Sequence, residues 1–304
     1  CQVLAHRHAV LSAPPGSGKT TIVPLALLAQ EWLCGRKILI LEPRRPAARL
    51  AARRLATLAG TQVGELVGYQ VRMDRRIGAH TRIEVVTEGI LTRRLQADPE
   101  LSDVGLVIFD EFHERHLQAD LGLALCLDVC AGLRDDLRLL VMSATLDPGP
   151  LCALLDAGHV SASGRQYPIE IEHLPAADRR QPLQAMSSLV QQALTRQSGD
   201  VLVFLPGRAE IERLANQLES FCTDHAVRLE KLFGDLSAAE QDRILAPATT
   251  AQQRVILSTD LAESSVTLVG VTAVVDSGLA RKPQFDPSTG MTRLQVLPIA
   301  QASA

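Results

Sequence analysis

The fold is decided by the stretch Ala13-Pro14-Pro15-Gly16-Ser17-Gly18-Lys19-Thr20. It follows the apolar residues 9–11 and precedes residues 22–28, where apolar side chains recur at helical spacing. This pattern predicts a strand, a glycine-containing turn and the start of a helix. The backbone N–H groups of such a turn, together with the positive end of the helix, attract an anion. The stretch therefore predicts a phosphate-binding loop.

The residue types of this loop indicate which compound it binds. Gly16, Ser17 and Gly18 supply the turn. The Lys19 ammonium can reach the β- and γ-phosphates of a nucleotide, and the Thr20 hydroxyl can hold Mg²⁺. We therefore expect ATP or another nucleoside triphosphate, with Mg²⁺, as the cofactors.

One position departs from the common pattern, because Ala13 stands where that pattern has a glycine. This is tolerable if the backbone of Ala13 is extended and only Gly16 and Gly18 take unusual dihedral angles. The alternative interpretation is a chance glycine and serine turn before a buried helix. The flanking strand and helix favour the phosphate loop.

A second polar segment, Asp110-Glu111-Phe112-His113, follows the almost continuous apolar run of residues 104–109. Such a run is typical of a strand covered on both faces, and it places the two carboxylates at the carboxyl end of that strand. Asp110 can hold the Mg²⁺ bound by Thr20, while Glu111 can orient and deprotonate an attacking water. The alternative is a solvated acidic turn. His113 and Arg115, taken alone, could each be an ordinary surface or cap residue.

Polar residues also follow three other predicted strands, and in open α/β sheets ligands bind at this end of the strands. Arg44 and Arg45 follow residues 37–41, and Thr87 follows residues 82–86. Thr87 is equally a candidate for the N-cap of a helix.

Ser143 and Thr145 follow residues 137–142 in the same way. Their two hydroxyls could do no more than cap a helix over residues 147–155.

The second half of the chain repeats the alternation of strands and helices. Strands are predicted at residues 200–205, 227–232, 254–257 and 271–276, with helices at 209–218 and 238–245. Strands separated by helices form parallel sheets, so a second parallel sheet is expected. Residues 279–285 and 291–297 alternate with period two and predict a long antiparallel β-hairpin.

Length and composition bound the class of protein. With 304 residues, 46% hydrophobic and 21% charged, the chain suits two globular domains, predicted as residues 1–175 and 176–304. The net charge of -3 gives no general basic surface, so contact with a nucleic acid must be local. The six cysteines lack metal-ligand spacing and are expected to be buried thiols in a reducing compartment. No signal sequence or membrane-spanning stretch is visible, so we expect a cytoplasmic protein that contacts no membrane.

Seven segments, taken in order, resemble the motifs of the DEAH-box helicases of superfamily 2, most closely the bacterial HrpB-type members. The similarity extends over residues 9–304, with Phe112 in place of the usual alanine and Asp260 where asparagine is common. The matching segments are residues 13–20 (motif I), 42–45 (Ia), 87–89 (Ib), 110–113 (II), 143–145 (III), 204–207 (IV) and 258–265 (V).

This resemblance implies an α/β fold of two tandem RecA-like parallel-sheet domains, with an antiparallel β-hairpin in the second. The domains would close on ATP while single-stranded RNA or DNA runs across both. The implied function is an ATP-dependent nucleic-acid helicase or translocase core, with RNA expected over DNA. The alternative is a nucleotide-gated RNA-binding clamp that remodels protein–RNA complexes without unwinding. A small-molecule kinase would explain residues 13–20 but not the second domain.

The resemblance also assigns roles to residues. Lys19, Asp110, Glu111 and His113 would be catalytic, with Glu111 as the general base. His113, Ser143 and Thr145 would couple the ATP site to the strand. The nucleic-acid backbone would contact Arg44, Arg45, Thr87, Gly207 and Thr259. The hairpin would wedge the duplex junction, and the alternative is an ordinary extension of the sheet. The protein is expected to act as a monomer, without an identified protein partner.

Arg115 corresponds to a residue that packs on the nucleotide base in the family, opposite an aromatic residue. Leu245 stands at that opposite position here. Stacking on the base is therefore weakened, and we expect several nucleoside triphosphates to be hydrolysed with similar efficiency.

Residues 301–304 resemble the segment that precedes the arginine-rich motif VI of the family. An arginine finger increases the rate of nucleotide hydrolysis about 10³- to 10⁵-fold. We therefore expect residues 1–304 to be part of a longer chain that, as given, binds nucleotide but hydrolyses it poorly.

Overall fold

The computed structural model describes residues 6–14, 16–163, 168–173, 182–246, 252–263 and 268–299. The chain divides into two compact units, Cys1–Pro168 and Ile169–Ala304. The domain boundary predicted near residue 175 falls in residues 174–181, outside the described residues, and stays a prediction.

The first unit is built on one eight-stranded sheet covered on both faces. The strands are β1 (Ala9–Ser12), β2 (Lys37–Glu42), β3 (Val67–Val71), β4 (Asp74–Arg76), β5 (Ile83–Thr87), β6 (Val104–Phe109), β7 (Arg138–Ser143) and β8 (Gly158–Ser161). The helices are α1 (Lys19–Leu28), α2 (Arg45–Leu58), α3 (Glu88–Ala97), α4 (Leu117–Gly132) and α5 (Pro148–Leu155). The strand order is β4-β3-β5-β2-β6-β7-β1-β8, and every neighbouring pair is parallel except β3 and β4.

The apolar runs in the sequence account for this layering. Strand β6 is buried at every position, because helices lie on both faces of the sheet. One core cluster joins the sheet to α1 and α2, with Leu55 of α2 fully buried. A second cluster joins the opposite face to α3, α4 and α5, with Leu91 and Cys126 fully buried. This scaffold brings the carboxyl ends of β3, β5, β2, β6, β7 and β1 to one edge of the sheet, where five of the predicted segments lie.

The second unit contains a four-stranded parallel sheet and a separate hairpin. Its elements are α6 (Pro182–Arg196), β9 (Asp200–Phe204), α7 (Arg208–Asp224), β10 (Arg228–Leu232), α8 (Ala238–Leu245), β11 (Arg254–Ser258), β12 (Val271–Asp276), β13 (Leu279–Asp286) and β14 (Met291–Pro298). The strand order is β10-β11-β9-β12. Helices α6 and α7 pack together over a core that includes Val190, Leu214 and Val203. Strands β13 and β14 pair antiparallel from Leu279 with Pro298 to Asp286 with Met291.

The second parallel sheet and the hairpin confirm the sequence prediction, but several elements were missed. Strands β3, β4 and β8 are short, and helix α6 follows the proline-rich residues 168–182, where no pattern was recognised.

The expectation of buried thiols is wrong for Cys34, which is exposed because it ends a single 3₁₀ turn with a φ of 48°. None of the helices in the described parts of the chain is long and apolar enough to cross a bilayer.

His8 supports a prediction about stability. The Leu139 N–H donates a hydrogen bond to His8 Nδ1 at 3.1 Å, so this nitrogen must be unprotonated in the folded state. Burial, followed by the charges of Arg7 and Arg138, lowers the pKa of His8 from 6.5 to about 4. The unfolded chain therefore binds an extra proton below pH 6.5, and the contribution of His8 to stability, about 3 kcal/mol, is lost as the pH falls from 6.5 to 4.

Urea unfolding of the wild type and of His8→Asn between pH 7 and pH 4 checks this expectation. The asparagine Oδ1 can still accept the bond from Leu139 but does not titrate, so the variant should show a flatter dependence on pH. Substitution of the exposed His80 by asparagine should leave the wild-type dependence in place. Parallel pH profiles for wild type and His8→Asn would contradict the assignment.

Candidate nucleotide site and strand-binding edge

The phosphate loop joins β1 to α1 with the geometry that the sequence predicts. Gly16 and Gly18 have φ angles of 74° and 82°, and Ala13 is absent from the positive-φ residues. A Cβ at Gly18 would also lie 2.8 Å from Ile22 Cδ1. Ala13 instead donates its N–H to the Ser143 carbonyl of β7 at 3.0 Å, which extends the sheet by one residue. Alanine is therefore tolerated at position 13, whereas glycine is required at position 18.

The loop meets the end of β6, and the two halves of the predicted site are in contact. The Thr20 hydroxyl donates a hydrogen bond to Asp110 Oδ2 at 2.5 Å. Lys19 Nζ lies 3.1 Å from Glu111 Oε1, and both side chains are almost completely buried. The four side chains thus form one charged cluster at the carboxyl ends of β1 and β6.

Burial sets the electrostatics of this cluster. It raises the pKa of Asp110 to about 6, helped by the charge of Glu111 and opposed by Thr20 and Lys19. Burial, and then the charges of Asp110 and Glu111, raise the pKa of Glu42 well above its usual value. A buried group of carboxyls is stabilised by a cation, so the site is suited to one.

The donors present fit Mg²⁺ better than a metal that needs a complete protein cage. The described residues contain no group of three or more histidine, cysteine, aspartate or glutamate side chains able to hold a metal. Mg²⁺ commonly uses one or two protein oxygens and takes its remaining ligands from phosphates and water. The adjacent oxygens of Thr20 and Asp110 supply that kind of donor set.

The segment after Asp110 is a strained turn anchored by Phe112. Glu111 and Arg115 have φ angles of 48° and 53°, which side chains adopt at a cost. Between them Phe112 is buried, and its ring packs edge-on against Phe109 at 6.1 Å between centroids. The aromatic ring at a position where alanine is usual therefore holds the turn that presents Glu111.

His113 and Arg115 take different positions around this turn. His113 Nδ1 lies 3.4 Å from Glu111 Oε2, and this buried nitrogen makes no hydrogen bond in the described structure. The Arg115 guanidinium is half exposed, forms an ion pair with Asp120 at 3.2 Å and lies 5.8 Å from the Phe112 ring centroid. The structure brings His113 to the charged cluster, while Arg115 contacts its own turn and α4.

The predicted strand-contacting residues of the first unit lie at the neighbouring ends of β2 and β5. Arg44 is 3.4 Å from Glu114, and Arg45 is exposed at the start of α2. Thr87 occupies the N-cap position of α3, but its side chain makes no capping hydrogen bond. The N-cap position predicted for Thr87 is therefore confirmed, and its hydroxyl makes no capping hydrogen bond in the described structure.

Ser143 and Thr145, in contrast, do not occupy the N-cap position of α5. The cap is Asp147, whose Oδ1 accepts a hydrogen bond from the Gly149 N–H at 3.0 Å. Ser143 instead accepts one from the Leu146 N–H at 3.1 Å, which closes the turn after β7. The turn is thus held beside the phosphate loop, because β7 and β1 are paired.

In the second unit, Gly207 and Thr259 follow the neighbouring strands β9 and β11. A Cβ at Gly207 would lie 3.1 Å from Glu210 Oε2 and 3.2 Å from Arg281 Cζ, so a side chain has little room there. Thr259 Oγ1 accepts a hydrogen bond from the Leu261 N–H at 3.4 Å. Leu245 is buried. Residues 264–267, with the end of the predicted motif V, and residues 300–304 lie outside the described residues.

Comparison with known proteins agrees with this arrangement. The family model described as "DEAD/DEAH box helicase" matches residues 2–151, and the one described as "Helicase conserved C-terminal domain" matches residues 183–293. The chain belongs to the DEAD/DEAH-box helicase family. Its two units are accordingly the RecA-like domains of that family.

Relatives within the helicase family are much longer than this chain. It is 49% identical to the ATP-dependent RNA helicase HrpB of Escherichia coli, over 97% of this chain and 36% of that protein. It is 36% identical to the ATP-dependent RNA helicase HrpA homolog of Haemophilus influenzae, over 98% of this chain and 23% of that protein. The crystal structure of the E. coli DEAH/RHA helicase HrpB superimposes with a TM-score of 0.90 at 48% identity, over 99% of this chain and 38% of that one.

The candidate nucleotide site contains a buried residue that was not predicted from the sequence. Glu42 ends β2, is only 1% exposed and lies beside Asp110. The sequence pattern predicts that Glu42 is the first residue of a polar loop. The sheet register, which pairs Leu41 with Phe109, is what places it next to Asp110.

A second missed feature is the β3–β4 turn at Arg72 and Met73. It continues the same edge of the sheet beyond Thr87, because β3 pairs with β5. Met73 is 96% exposed and has a φ of 65°. In the sequence, this turn is marked by the two apolar residues 67 and 71 and by the arginines after them. That pattern is too short to predict a strand and a turn by itself.

Proposed function

We propose that this chain forms the ATP-hydrolysing, strand-moving core of an RNA helicase that depends on Mg²⁺. The observation that carries the proposal is the direct contact of the phosphate loop with the acidic motif, through Thr20 with Asp110 and Lys19 with Glu111. A binding clamp without hydrolysis needs no general base. The presence of Glu111 beside Lys19 therefore favours hydrolysis.

The ion pair between Lys19 and Glu111 suggests how nucleotide binding prepares the reaction. The γ-phosphate competes for the Lys19 ammonium, because phosphate carries more negative charge than a single carboxylate. Glu111 is then released to accept a proton from the attacking water. His113, whose Nδ1 lies 3.4 Å from the other Glu111 oxygen, would hold that carboxylate in position by forming a hydrogen bond to it.

Thr20 and Asp110 are the residues that would hold Mg²⁺. When bound, the ion neutralises the charge that develops on the phosphate oxygens. Asp110 is kept in place for this task by its own backbone, since its N–H donates to the Leu41 carbonyl at 3.1 Å.

The strand-binding surface is proposed along the carboxyl edge of the first sheet and at Gly207 and Thr259 of the second. Arg44, Arg45 and Thr87 would contact the sugar-phosphate backbone, as the family resemblance implies. The Arg72–Met73 turn extends this line by one strand, with a charge for a phosphate and an apolar side chain for a base face. The choice of RNA rests on the names of the relatives HrpB and HrpA.

The proposal is tested by steady-state nucleotide turnover of the protein at its natural length, with single-stranded RNA and DNA added in parallel. We expect RNA to stimulate turnover more than DNA. Arg72→Glu should weaken the binding of RNA and reduce its stimulation, while turnover without RNA remains unchanged. The control Arg54→Glu changes another exposed arginine, on α2, and should behave like the wild type. Turnover that no nucleic acid stimulates would contradict the proposed function.

A further inference from the structure

The side chain of Glu42 has an oxygen in the interior of the first unit that lacks a hydrogen-bond partner in the described structure. The residue is 1% exposed, and its Oε2 is buried with no hydrogen-bond partner in the described structure. A buried polar atom without a partner costs about 1–3 kcal/mol. Such an atom in a native site calls for a specific explanation.

The surroundings of Glu42 show where this atom belongs. The carboxyl group is within hydrogen-bonding reach of Asp110, and the charges of Glu111 and Glu114 are also felt there. Backbone pairing fixes this neighbourhood, because β2 and β6 are in register from Ile38 with Leu106 to Leu41 with Phe109. Glu42 therefore cannot turn away to solvent without disturbing the two central strands of the sheet.

A structural ion pair does not account for the residue. The buried Glu84, on the neighbouring strand β5, has Lys37 at 2.8 Å and Arg94 as cationic partners. Lys19, which contacts the acidic motif, pairs with Glu111. The described contacts of Glu42 thus leave its Oε2 available for a further hydrogen bond beside Asp110, which is proposed to hold Mg²⁺.

We infer that Glu42 is a positioning residue for the metal, which fixes the Asp110 carboxylate and offers its free Oε2 to a water bound to the ion. Mg²⁺ in nucleotide sites keeps several of its waters, and these need acceptors. Partners of metal ligands orient those ligands, and their loss typically lowers metal affinity about 10- to 100-fold. This inference rests on the proposed function, since it presumes a nucleotide and Mg²⁺ at this site.

The test compares three substitutions that keep the size of the side chain or its chemistry. Glu42→Gln retains two hydrogen-bonding atoms at the same reach. Glu42→Met keeps the length but removes both, and Glu42→Asp keeps a carboxyl but withdraws it by one methylene. Affinity for Mn²⁺ in the presence of ADP is measured by electron paramagnetic resonance, which needs no turnover. Binding of fluorescent ADP in EDTA is measured alongside.

We expect Glu42→Met and Glu42→Asp to lower Mn²⁺ affinity about tenfold, and Glu42→Gln to stay near the wild type. ADP binding in EDTA should be the same in all four proteins, which separates a metal effect from a general distortion. Glu84→Gln serves as a control for the loss of a buried carboxylate elsewhere in the sheet. If Glu42→Met fails to fold, Glu42→Asp decides alone.

Unchanged Mn²⁺ affinity in the folded variants would overturn the role of Glu42. A wild-type chain that binds neither ADP nor Mn²⁺–ADP would instead overturn the proposed function. The two failures are therefore distinguishable.

Discussion

Replacing Glu111 by glutamine is expected to lower nucleotide turnover about 10²- to 10⁴-fold, the contribution typical of a general base. The amide cannot accept the proton of the attacking water. Affinity for the nucleotide should be equal to that of the wild type or tighter, because glutamine competes less well than a carboxylate for the Lys19 ammonium, now 3.1 Å from Glu111. The variant should therefore bind nucleotide and retain it.

Single-turnover hydrolysis and equilibrium binding of the nucleotide, both on the protein at its natural length, measure the two quantities separately. Glu114→Gln is the matched control. It removes a carboxylate three residues further along the same turn, which lies 3.4 Å from Arg44 and not at Lys19. A loss of turnover in Glu114→Gln as large as in Glu111→Gln, or wild-type turnover in Glu111→Gln, would show that Glu111 is not the base.

Replacing Arg254 by methionine is expected to destabilise the second unit by about 3–5 kcal/mol, the cost of breaking a buried ion pair from one side. Arg254 Nη2 lies 2.7 Å from Asp200 Oδ2, and its Nε donates to the same oxygen at 2.8 Å. Its Nη1 also donates to the carbonyls of Ile244 and Ala246 at the end of α8. One side chain thus joins β9, β11 and the end of α8, and its removal leaves a buried carboxylate without a cation.

Urea unfolding, followed by a probe in the second unit, measures this loss. The double variant Asp200→Leu/Arg254→Met removes both charges and should recover part of the stability, because no uncompensated charge stays buried. Arg228→Met, which removes a partly exposed cation 2.6 Å from Glu230, should cost far less. Equal losses for Arg254→Met and Arg228→Met would contradict the assignment.

Much of the nucleotide site could be predicted from the sequence because its parts follow strands with strong patterns. Residues 104–109 are apolar at nearly every position, so a covered parallel strand and its carboxyl end could be located without coordinates. Once β1 and β6 are in one parallel sheet, the residues after them must meet at one edge. The contacts of Lys19 with Glu111 and of Thr20 with Asp110 follow from that geometry.

The parts that escaped prediction depend on pairing between strands and not on local pattern. Glu42 is one residue beyond an apolar run and is followed by proline, so it resembles a loop residue. Only the registers of β2 with β6 and with β5 bury it. Strand β4 has three residues, none of them apolar, and forms because β3 supplies a partner. Helix α6 has apolar residues at helical spacing, but the proline-rich sequence before it obscures its start.

The two contacts that join the phosphate loop to the acidic motif also bear on the proposed cycle of nucleotide hydrolysis. Ammonium meets carboxylate and hydroxyl meets carboxylate within the protein itself, so these four groups do not depend on a ligand for their partners. In the proposed cycle of nucleotide hydrolysis, a nucleotide that binds would exchange the protein partners of Lys19 and Thr20 for phosphate and Mg²⁺, and the same protein contacts would form again after the product leaves.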